Sequence, residues 1–292
     1  MEKQLRVLFI GTHPDDCDFS AGGLALKYSR AGHVVKFISV CDGSGGHHEM
    51  TPEETKTRRR SESLRVAEFI GIEYDVWDIP DCEVQNDLET RKRMTREIRK
   101  FKPDMVFCCR PNDYHVDHRN CSGLVQDSAY LLTVPHFCPD VPAMRGMPVI
   151  FNFYDRFQNP PFKADVIIDI GDVVDDKIKM LSFHESQMFE WLPYTKGTLD
   201  TVPKTVEERL EWLHEPRLPE DISSVTQEQI TRPYTGSYCE WRDAVPAFKY
   251  RDLLIKRYGE ERGKKVRFAE AFAVCEYGKR LTPELEAEFF PF

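Results

Sequence analysis

The chain has 292 residues, which is enough for one large α/β domain or two modest ones. A hydrophobic fraction of 41% and the absence of compositionally biased tracts are typical of an ordinary globular protein. The formal net charge of -9 disfavours a nucleic-acid-binding surface, and no apolar run in the sequence is long enough to cross a bilayer.

Nine cysteines raise the question of disulfide bonds. Their number is odd, Cys108 and Cys109 fall in a predicted buried strand, and the apolar run near the N-terminus is too short for a secretion signal. We therefore expect reduced thiols in a cytoplasmic protein. No C-x-x-C pair occurs, so a zinc site built from cysteines is not expected.

The first predicted strand is the short apolar run at residues 7–10, which Gly11 closes. Residues 13–16, with the sequence His-Pro-Asp-Asp, follow it directly, and a Gly-Gly pair at residues 22–23 then leads into a helical stretch. Metal-competent side chains thus lie at the carboxyl end of a strand, which is where open α/β sheets bind ligands.

Three further rounds of strand and helix are predicted in the first half of the chain. The strands are expected at residues 34–41, 74–77 and 104–109, and the helices at residues 51–70, 88–101 and after residue 118 to about 132. Thr51 and Pro52 supply a cap and a favourable first residue for the second helix. This alternation predicts an α/β fold with a Rossmann-like, mostly parallel sheet flanked by helices.

The second half of the chain is predicted to complete the same domain. Strands are expected at residues 149–154 and 164–170, and helices at residues 172–189, 206–213 and 241–258. We interpret the proline-rich stretch 133–148 as a loop or lid, and expect the apolar tail from residue 267 to fold back on the main body. Because neither a repeat nor a clear linker is present, we predict a single domain over residues 1–292 with an elaborated C-terminal third from about residue 190.

Two short motifs carry the chemistry. His13-Pro-Asp-Asp16 follows the first strand and His115-Val-Asp-His118 follows the fourth, so the fold can bring both to one edge of the sheet. Two imidazoles and one carboxylate make a three-ligand metal site with an open position, where a divalent metal lowers the pKa of water to about 7. A further carboxylate can accept the proton of that water, and a further imidazole can stabilise the oxyanion or protonate the leaving group.

Either motif alone has a structural interpretation. Pro14 and its neighbouring aspartates could form a turn that caps the next helix, and His-x-Asp-His recurs by chance. The presence of both motifs, each at the end of a predicted strand, favours the metal site. His47 and His48 lie in a glycine-rich loop, and we interpret them as loop residues rather than ligands.

Together the motifs resemble those of the PIG-L/LmbE family of metal-dependent de-N-acetylases, and the resemblance covers most of the chain. Besides H-P-D-D, Gly-Gly and H-x-D-H, the stretches similar to the family are Arg59-Arg60-Ser61-Glu62, Ile79-Pro80-Asp81, Pro103-Asp104-Met105-Val106, His184-x-Ser186-Gln187 and Phe268-Ala269-Glu270-Ala271-Phe272. The resemblance implies an LmbE-like deacetylase fold.

The resemblance also implies metal binding by His13, Asp16 and His118, with zinc (Zn2+) as the ion. The residue types alone leave open whether Asp15 or Asp16 is the ligand. They also leave open iron(II), Fe2+, because two histidines and one carboxylate suit that metal as well. Cys17 stands where many family members have glutamate, and it is a weaker candidate ligand because it adjoins Asp16 and would have to bend back.

The remaining polar residues of the two motifs receive catalytic and supporting roles from the resemblance. Asp15 would be the general base that takes the proton of the attacking water. His115 would stabilise the oxyanion or protonate the leaving amine, and Asp117 would orient a histidine. Asp18 is expected to support the metal ligands without itself binding the metal.

Three further residues are candidate substrate contacts: Arg59, Asp81 and His184. Each has a structural alternative, namely a salt bridge for Arg59, a turn for Asp81 and core packing for His184.

The sequence thus predicts a zinc-dependent N-deacetylase that removes an acetyl group from a small N-acetylated amino-sugar derivative. A metal-dependent esterase or another amide hydrolase on the same scaffold is the first alternative, because a fold does not fix its substrate. The second is a non-catalytic sugar- or nucleotide-binding Rossmann-like protein, which the lack of G-x-G-x-x-G after the first strand disfavours. No nucleic-acid partner is expected, and the sequence leaves the oligomeric state open, a homo-oligomer included.

Overall fold

A computed structural model describes residues 3–231 and 239–292, and its centre is a seven-stranded sheet. The strands are β1 (Arg6–Gly11), β2 (Val34–Cys41), β3 (Glu73–Ile79), β4 (Met105–Cys108), β5 (Val149–Phe153), β6 (Val166–Asp169) and β7 (Ala269–Cys275). Their order in the sheet is β3-β2-β1-β4-β5-β7-β6. β1 to β5 pair in parallel, and β7 is antiparallel to β5 and β6, so the predicted mostly parallel sheet is confirmed.

Four helices connect the parallel strands: α1 (Asp16–Arg30), α2 (Pro52–Ile70), α3 (Leu88–Phe101) and α4 (Val116–Leu131). The later α-helices are α5 (Val174–Ser182), α6 (Leu192–Lys196), α7 (Val206–His214), α8 (Gln227–Thr231), α9 (Cys239–Lys249), α10 (Arg251–Tyr258), α11 (Glu260–Lys265) and α12 (Pro283–Phe289). A π-helical segment covers Ser186–Trp191, and single 3-10 turns cover Leu199–Thr201 and Ile222–Ser224. None of the described helices is long and apolar enough to span a membrane.

Local sequence explains why the connecting helices begin and end where they do. Thr51 and Glu54 form a capping box at the start of α2, in which each side chain pairs with the backbone N–H of the other. Gly71 ends the same helix with a φ of 71°, a left-handed conformation that glycine adopts without steric cost. These are the signals from which the sequence predicted this helix.

A row of aromatic rings packs on one face of the sheet. Phe9 of β1 stacks on Phe107 of β4 at 4.7 Å between ring centroids, and Phe107 stacks on Phe151 of β5 at 4.8 Å. All three side chains are fully buried. Burial of such rings contributes about 1.5–3 kcal/mol each, which holds β1 and β4 firmly side by side.

The helix predicted over residues 172–189 is interrupted. α5 ends at Ser182, and the π-helical segment begins at Ser186. Buried Glu62 of α2 accepts hydrogen bonds from the Ser186 backbone N–H at 2.8 Å and from its hydroxyl at 2.6 Å. The prediction of one continuous helix is wrong because this contact from a distant helix takes the place of a regular intrahelical bond.

The C-terminal third contains the other differences. The helix predicted over residues 241–258 is two helices, α9 with Pro246 inside it and α10, which meet at Tyr250. The tail folds back as expected, and its first part is β7, an inserted strand between β5 and β6. Residues 232–238, within the elaborated C-terminal third predicted from about residue 190, lie outside the described residues.

The stretch 133–148 contains no helix or strand, as predicted, and a buried side chain fixes its first half. The guanidinium of Arg99, on α3, donates to six backbone carbonyls: those of Leu131, Leu132, Val134, Phe137, Cys138 and Val141. Arg99 is fully buried. This part of the loop is therefore an anchored element.

Candidate metal centre and active site

The turn after β1 carries the first motif. Gly11 ends the strand, and a Cβ atom there would lie 2.8 Å from Asp16 Cβ, so only glycine allows the chain to turn this closely. The backbone N–H groups of Thr12 and His13 donate to Asp16 Oδ2 at 2.9 and 2.8 Å. The turn thus fixes the Asp16 carboxylate beside His13.

The second motif reaches the same place because β4 is the neighbour of β1 in the sheet. His115 is the N-cap of α4, and His118 lies in the first turn of that helix. His13 Nδ1 is 3.1 Å from His118 Nε2, and Asp16 Oδ2 is 3.5 Å from the first nitrogen and 3.3 Å from the second. The structure therefore brings together the three residues that the sequence proposed as metal ligands.

The spacing of these three donor atoms fits a metal ion. Ligand atoms at 2.0–2.2 Å from a tetrahedral zinc lie roughly 3.3–3.6 Å from one another. The separations of 3.1, 3.3 and 3.5 Å are close to that range. Two nitrogens and one carboxylate oxygen form a donor set that suits zinc and also iron(II).

Each imidazole has a carboxylate at the ring nitrogen that faces away from the cluster. Asp81 Oδ1 is 3.1 Å from His13 Nε2, and Asp113 Oδ2 is 3.1 Å from His118 Nδ1. If these nitrogens donate to the carboxylates, the lone pairs of His13 Nδ1 and His118 Nε2 are left facing Asp16. The hydrogen-bond pattern therefore supports metal binding by these atoms, as their distances do.

The electrostatics of the cluster favour a bound cation. Burial alone would raise the pKa of Asp16, but the charge of His118 and the hydrogen bonds and charge of His13 hold it well below its usual range. Burial opposes the charged form of His118, yet Asp16 and Asp113 raise the pKa of this imidazole. The site thus holds a permanent carboxylate and draws positive charge toward itself.

Asp15 lies beside the three candidate ligands and is held by Arg59. The Arg59 guanidinium is 3.2 Å from Asp15 Oδ2, and it also donates to the backbone carbonyls of Pro14 and Gly43. Burial raises the pKa of Asp15, while the Arg59 charge opposes the rise. The φ of Asp15 is +151°, a backbone angle that residues other than glycine rarely adopt. The surrounding contacts therefore impose this conformation.

His115 borders the same cluster with its ring edge-on to His13 at 4.7 Å between centroids. Its Nδ1 accepts the backbone N–H of Asp117 at 3.2 Å, so in the neutral ring the proton is on Nε2. Burial, together with the nearby His13 and His118, lowers the pKa of His115 and favours this neutral form. A neutral imidazole with a fixed Nε2–H is a hydrogen-bond donor.

The Asp117 carboxylate is fully buried beneath His13. One of its oxygens, Oδ2, accepts the backbone N–H of Cys82 at 2.7 Å and lies 3.9 Å from His13 Nε2. The other, Oδ1, has no hydrogen-bond partner among the residues that the structure describes. Asp117 therefore contacts the histidine cluster through both its backbone and its side chain.

The three candidate substrate contacts occupy different positions. Asp81 lines the cavity but faces His13, and Arg59, which is only 2% exposed, faces Asp15. His184 is fully buried, lies outside the cavity lining, and has its Nε2 3.0 Å from Asp18 Oδ1. Its predicted position as a substrate contact is therefore corrected to one in the core. Tyr74 donates to the other oxygen of Asp18, so this buried group supports α1 beneath the site.

Other side chains considered as ligands lie apart from the cluster. Cys17 is buried and belongs to none of the candidate ligand groups found among the described residues. His47 contacts Glu190 at 2.8 Å, and His48 stacks on Tyr194 at 4.0 Å between ring centroids. The loop that carries both histidines therefore contacts the π-helical segment and α6.

Sequence reasoning missed Asp113 as a partner of His118. It lies among the polar residues that follow β4, at the sheet edge where the other site residues converge. That position could have marked it as a candidate, but the sequence does not reveal which ring nitrogen it faces.

The cluster forms the floor of a cavity of about 790 Å³. His13, Asp16, His115 and His118 line it together with apolar and aromatic side chains, including Phe19, Tyr154, Phe157, Trp191 and Trp212. Pockets of this size hold small organic ligands and bury most of their surface.

Comparison with known proteins identifies relatives of the chain. Residues 8–129 match the PIG-L family, described as GlcNAc-PI de-N-acetylase. A diacetylchitobiose deacetylase from Thermococcus kodakarensis is 30% identical over 206 residues, covering 65% of this chain and 75% of that protein. A 4-oxalmesaconate hydratase from Pseudomonas putida is 24% identical over 204 residues, covering 67% and 79% of the two chains.

Solved structures give the same result for the fold. An inhibitor complex of N,N'-diacetylchitobiose deacetylase from Pyrococcus horikoshii has a TM-score of 0.62 at 25% identity, covering 98% of this chain and 86% of that one. A 4-carboxy-2-hydroxymuconate hydratase from Pseudomonas putida has a TM-score of 0.67 at 19% identity, covering 94% and 97%. The identity to the Thermococcus deacetylase, over three quarters of its length, establishes that this chain belongs to the PIG-L family.

Proposed function

We propose that the protein is a metal-dependent N-deacetylase that hydrolyses the acetamido group of an amino-sugar derivative. The observation that carries this proposal is the triangle of His13 Nδ1, Asp16 Oδ2 and His118 Nε2, with sides of 3.1–3.5 Å, on the floor of a substrate-sized cavity. The names of the relatives support the substrate class, because one curated relative and one solved structure are deacetylases of diacetylchitobiose.

The three proposed ligands would hold one divalent ion, with zinc as the expected metal. Such an ion supplies polarisation of the amide carbonyl and a lowered pKa for an attacking water. Asp81 and Asp113 hold the two imidazoles in the orientation that this role requires.

Asp15 is the proposed general base. It lies in the same turn as Asp16, lines the cavity, and is held in place by Arg59. In the proposed reaction Asp15 accepts a proton from the attacking water and then delivers it to the leaving nitrogen. Water adds to the carbonyl carbon, the C–N bond breaks, and the products are acetate and a free amine.

His115 is the proposed oxyanion donor. Its Nε2–H is free of the backbone contact that occupies Nδ1, and the ring lines the cavity beside the proposed ligands. A donor held in place before the reaction stabilises the negative charge that develops on the carbonyl oxygen. Asp117 holds this ring through its backbone N–H.

The test is acetate release from N-acetylglucosamine and N,N'-diacetylchitobiose, measured together with metal content. We expect Asp15→Asn to keep the metal and to lose about a hundredfold or more in kcat, because only the proton acceptor is removed. His13→Ala should lose both metal and activity. Asp78→Asn, which changes an exposed carboxylate outside the cavity, serves as the control and should behave as the wild type. Full activity in Asp15→Asn would show that the assigned base is wrong.

Addition of water to a carbon–carbon double bond is the second candidate reaction. The observation that favours it is the 24% identity to 4-oxalmesaconate hydratase over 79% of that enzyme. The same purified protein should be assayed for hydration of an unsaturated dicarboxylate by the loss of its ultraviolet absorbance. Hydration without acetate release from any N-acetyl sugar would replace the deacetylase proposal. Release of acetate from acetate esters but not from N-acetyl sugars would favour an esterase.

A further inference from the structure

The charges that line the cavity are divided between its floor and its wall. Four of the five acidic side chains in the lining, Asp15, Asp16, Asp81 and Asp113, belong to the metal cluster or to its immediate supports. Apart from Arg59, which pairs with Asp15, the rest of the lining contains one carboxylate and four cationic side chains. We call these four the basic wall: Arg110, Arg156, Lys196 and Arg242.

The carboxylate in this part of the cavity is already paired. Asp155 lies 3.2 Å from the Nε of Arg110, and its Oδ1 accepts the backbone N–H of Phe157 at 2.9 Å. Its charge is therefore balanced by one cation of the four. In a chain with a formal net charge of -9, such a concentration of cations in one cavity calls for a specific explanation.

Arg242 is the member of the basic wall that stacks on a ring of α1. Its guanidinium lies over the ring of Phe19 at 4.4 Å, and the Phe19 backbone N–H donates to the Asp15 carbonyl one helical turn away. This stacking places a cation on the cavity wall beside the first turn of α1, the helix that follows the Asp15–Asp16 turn. Among the described residues no carboxylate forms a salt bridge with Arg242, and Asp243, on whose pKa the Arg242 charge acts, is itself paired with Lys177 at 2.7 Å.

Lys196, at the end of α6, faces the same cavity as Arg242. Burial lowers the pKa of Lys196, and the nearby charge of Arg242 lowers it further. Two like charges that converge on one cavity repel each other, and an anion bound between them removes this cost. Arginine and lysine are also the side chains that proteins use for carboxylate and phosphate groups.

We propose that the basic wall binds an acidic group on the substrate, so that the protein selects anionic N-acetylated sugars over neutral ones. Arg242 is the main specificity determinant, and Lys196 assists it. The recognised chemistry is an anionic oxygen group, either a phosphate ester or a carboxylate. This inference rests on the proposed deacetylase function and narrows its substrate class.

The experiment compares three N-acetyl sugars that differ in charge. The probes are N-acetylglucosamine, N-acetylglucosamine 6-phosphate and N-acetylmuramic acid, which are neutral, phosphorylated and carboxylated, respectively. For the metal-loaded wild type we expect kcat/KM for at least one acidic sugar to exceed that for the neutral sugar by about tenfold or more. The identity of the preferred acidic sugar shows whether the recognised group is a phosphate or a carboxylate.

Two variants and two matched controls assign the preference to the basic wall. Arg242→Gln should lower kcat/KM about tenfold to a hundredfold for the preferred acidic sugar and change it little for the neutral one. Lys196→Gln should act in the same direction with a smaller effect. Arg280→Gln and Lys204→Gln remove exposed cations that lie outside the cavity lining, and they should leave the preference unchanged.

Calorimetric binding separates the failure of this inference from failure of the proposed reaction. If no acetate is released from any sugar, the deacetylase function fails, but tighter binding of an acidic sugar that Arg242→Gln abolishes still supports the basic wall. An anion held only by the metal would bind Arg242→Gln as tightly as the wild type. That result, or equal kcat/KM for all three sugars in an active enzyme, would overturn the inference.

Discussion

Both imidazoles of the proposed metal site are oriented by aspartates that the ligand motifs do not contain. Asp81 holds His13, and Asp113 holds His118, each at 3.1 Å. The sequence indicated Asp81 as a substrate contact and did not indicate Asp113. Residue type and spacing could predict ligands near two strand ends, but which carboxylate faces which ring nitrogen depends on the packed turns after β3 and β4.

Asp113→Ala tests this supporting role. Without the carboxylate, the His118 ring loses the contact that fixes its orientation, so we expect metal affinity to fall about tenfold to a hundredfold. The measurement is competition for zinc against a chelator of known affinity. Asp127→Ala, which removes an exposed carboxylate on α4, is the control. Unchanged affinity in Asp113→Ala would show that His118 does not depend on this partner.

At the level of secondary-structure elements, the sequence predicted those helices and strands that are determined by local sequence patterns. The alternating strands and helices of the first half followed from apolar runs, caps and glycines near each boundary, such as Thr51 and Gly71. β7 could not be predicted in the same way, because its place between β5 and β6 depends on pairing with residues a hundred or more positions away. The break after α5 depends likewise on Glu62, a residue of another helix.

The loop after α4 offers a quantitative test at the same scale. Arg99→Met removes a buried guanidinium from six carbonyls and leaves these acceptors without their partner. We expect the free energy of unfolding to fall by about 3 kcal/mol or more. Urea unfolding followed by circular dichroism gives this value.

Arg96→Met is the matched control because Arg96 lies on the same helix and reaches the same loop. Its partner is Asp140, and both side chains are partly exposed at the surface. A surface pair of this kind contributes about 1 kcal/mol or less. If the two variants lost equal stability, the anchoring role of Arg99 would be refuted.

At the scale of the whole molecule, the sheet order explains why two distant motifs form one site. β1 and β4 are adjacent and parallel, so the turns that follow them open on the same edge. The floor of the cavity concentrates carboxylates and imidazoles, while the basic wall collects cations from α6, α9 and the segments that follow β4 and β5. The proposed hydrolysis therefore depends on a metal ion at the floor of the cavity.

Anomalous X-ray diffraction from crystals of the purified protein, collected on both sides of the zinc and iron absorption edges, tests that dependence directly. We predict one strong peak within about 2.0–2.2 Å of His13 Nδ1, Asp16 Oδ2 and His118 Nε2, with the edge identifying the element. A metal bound elsewhere, or no peak between these three atoms in crystals of an enzyme that releases acetate, would contradict the account.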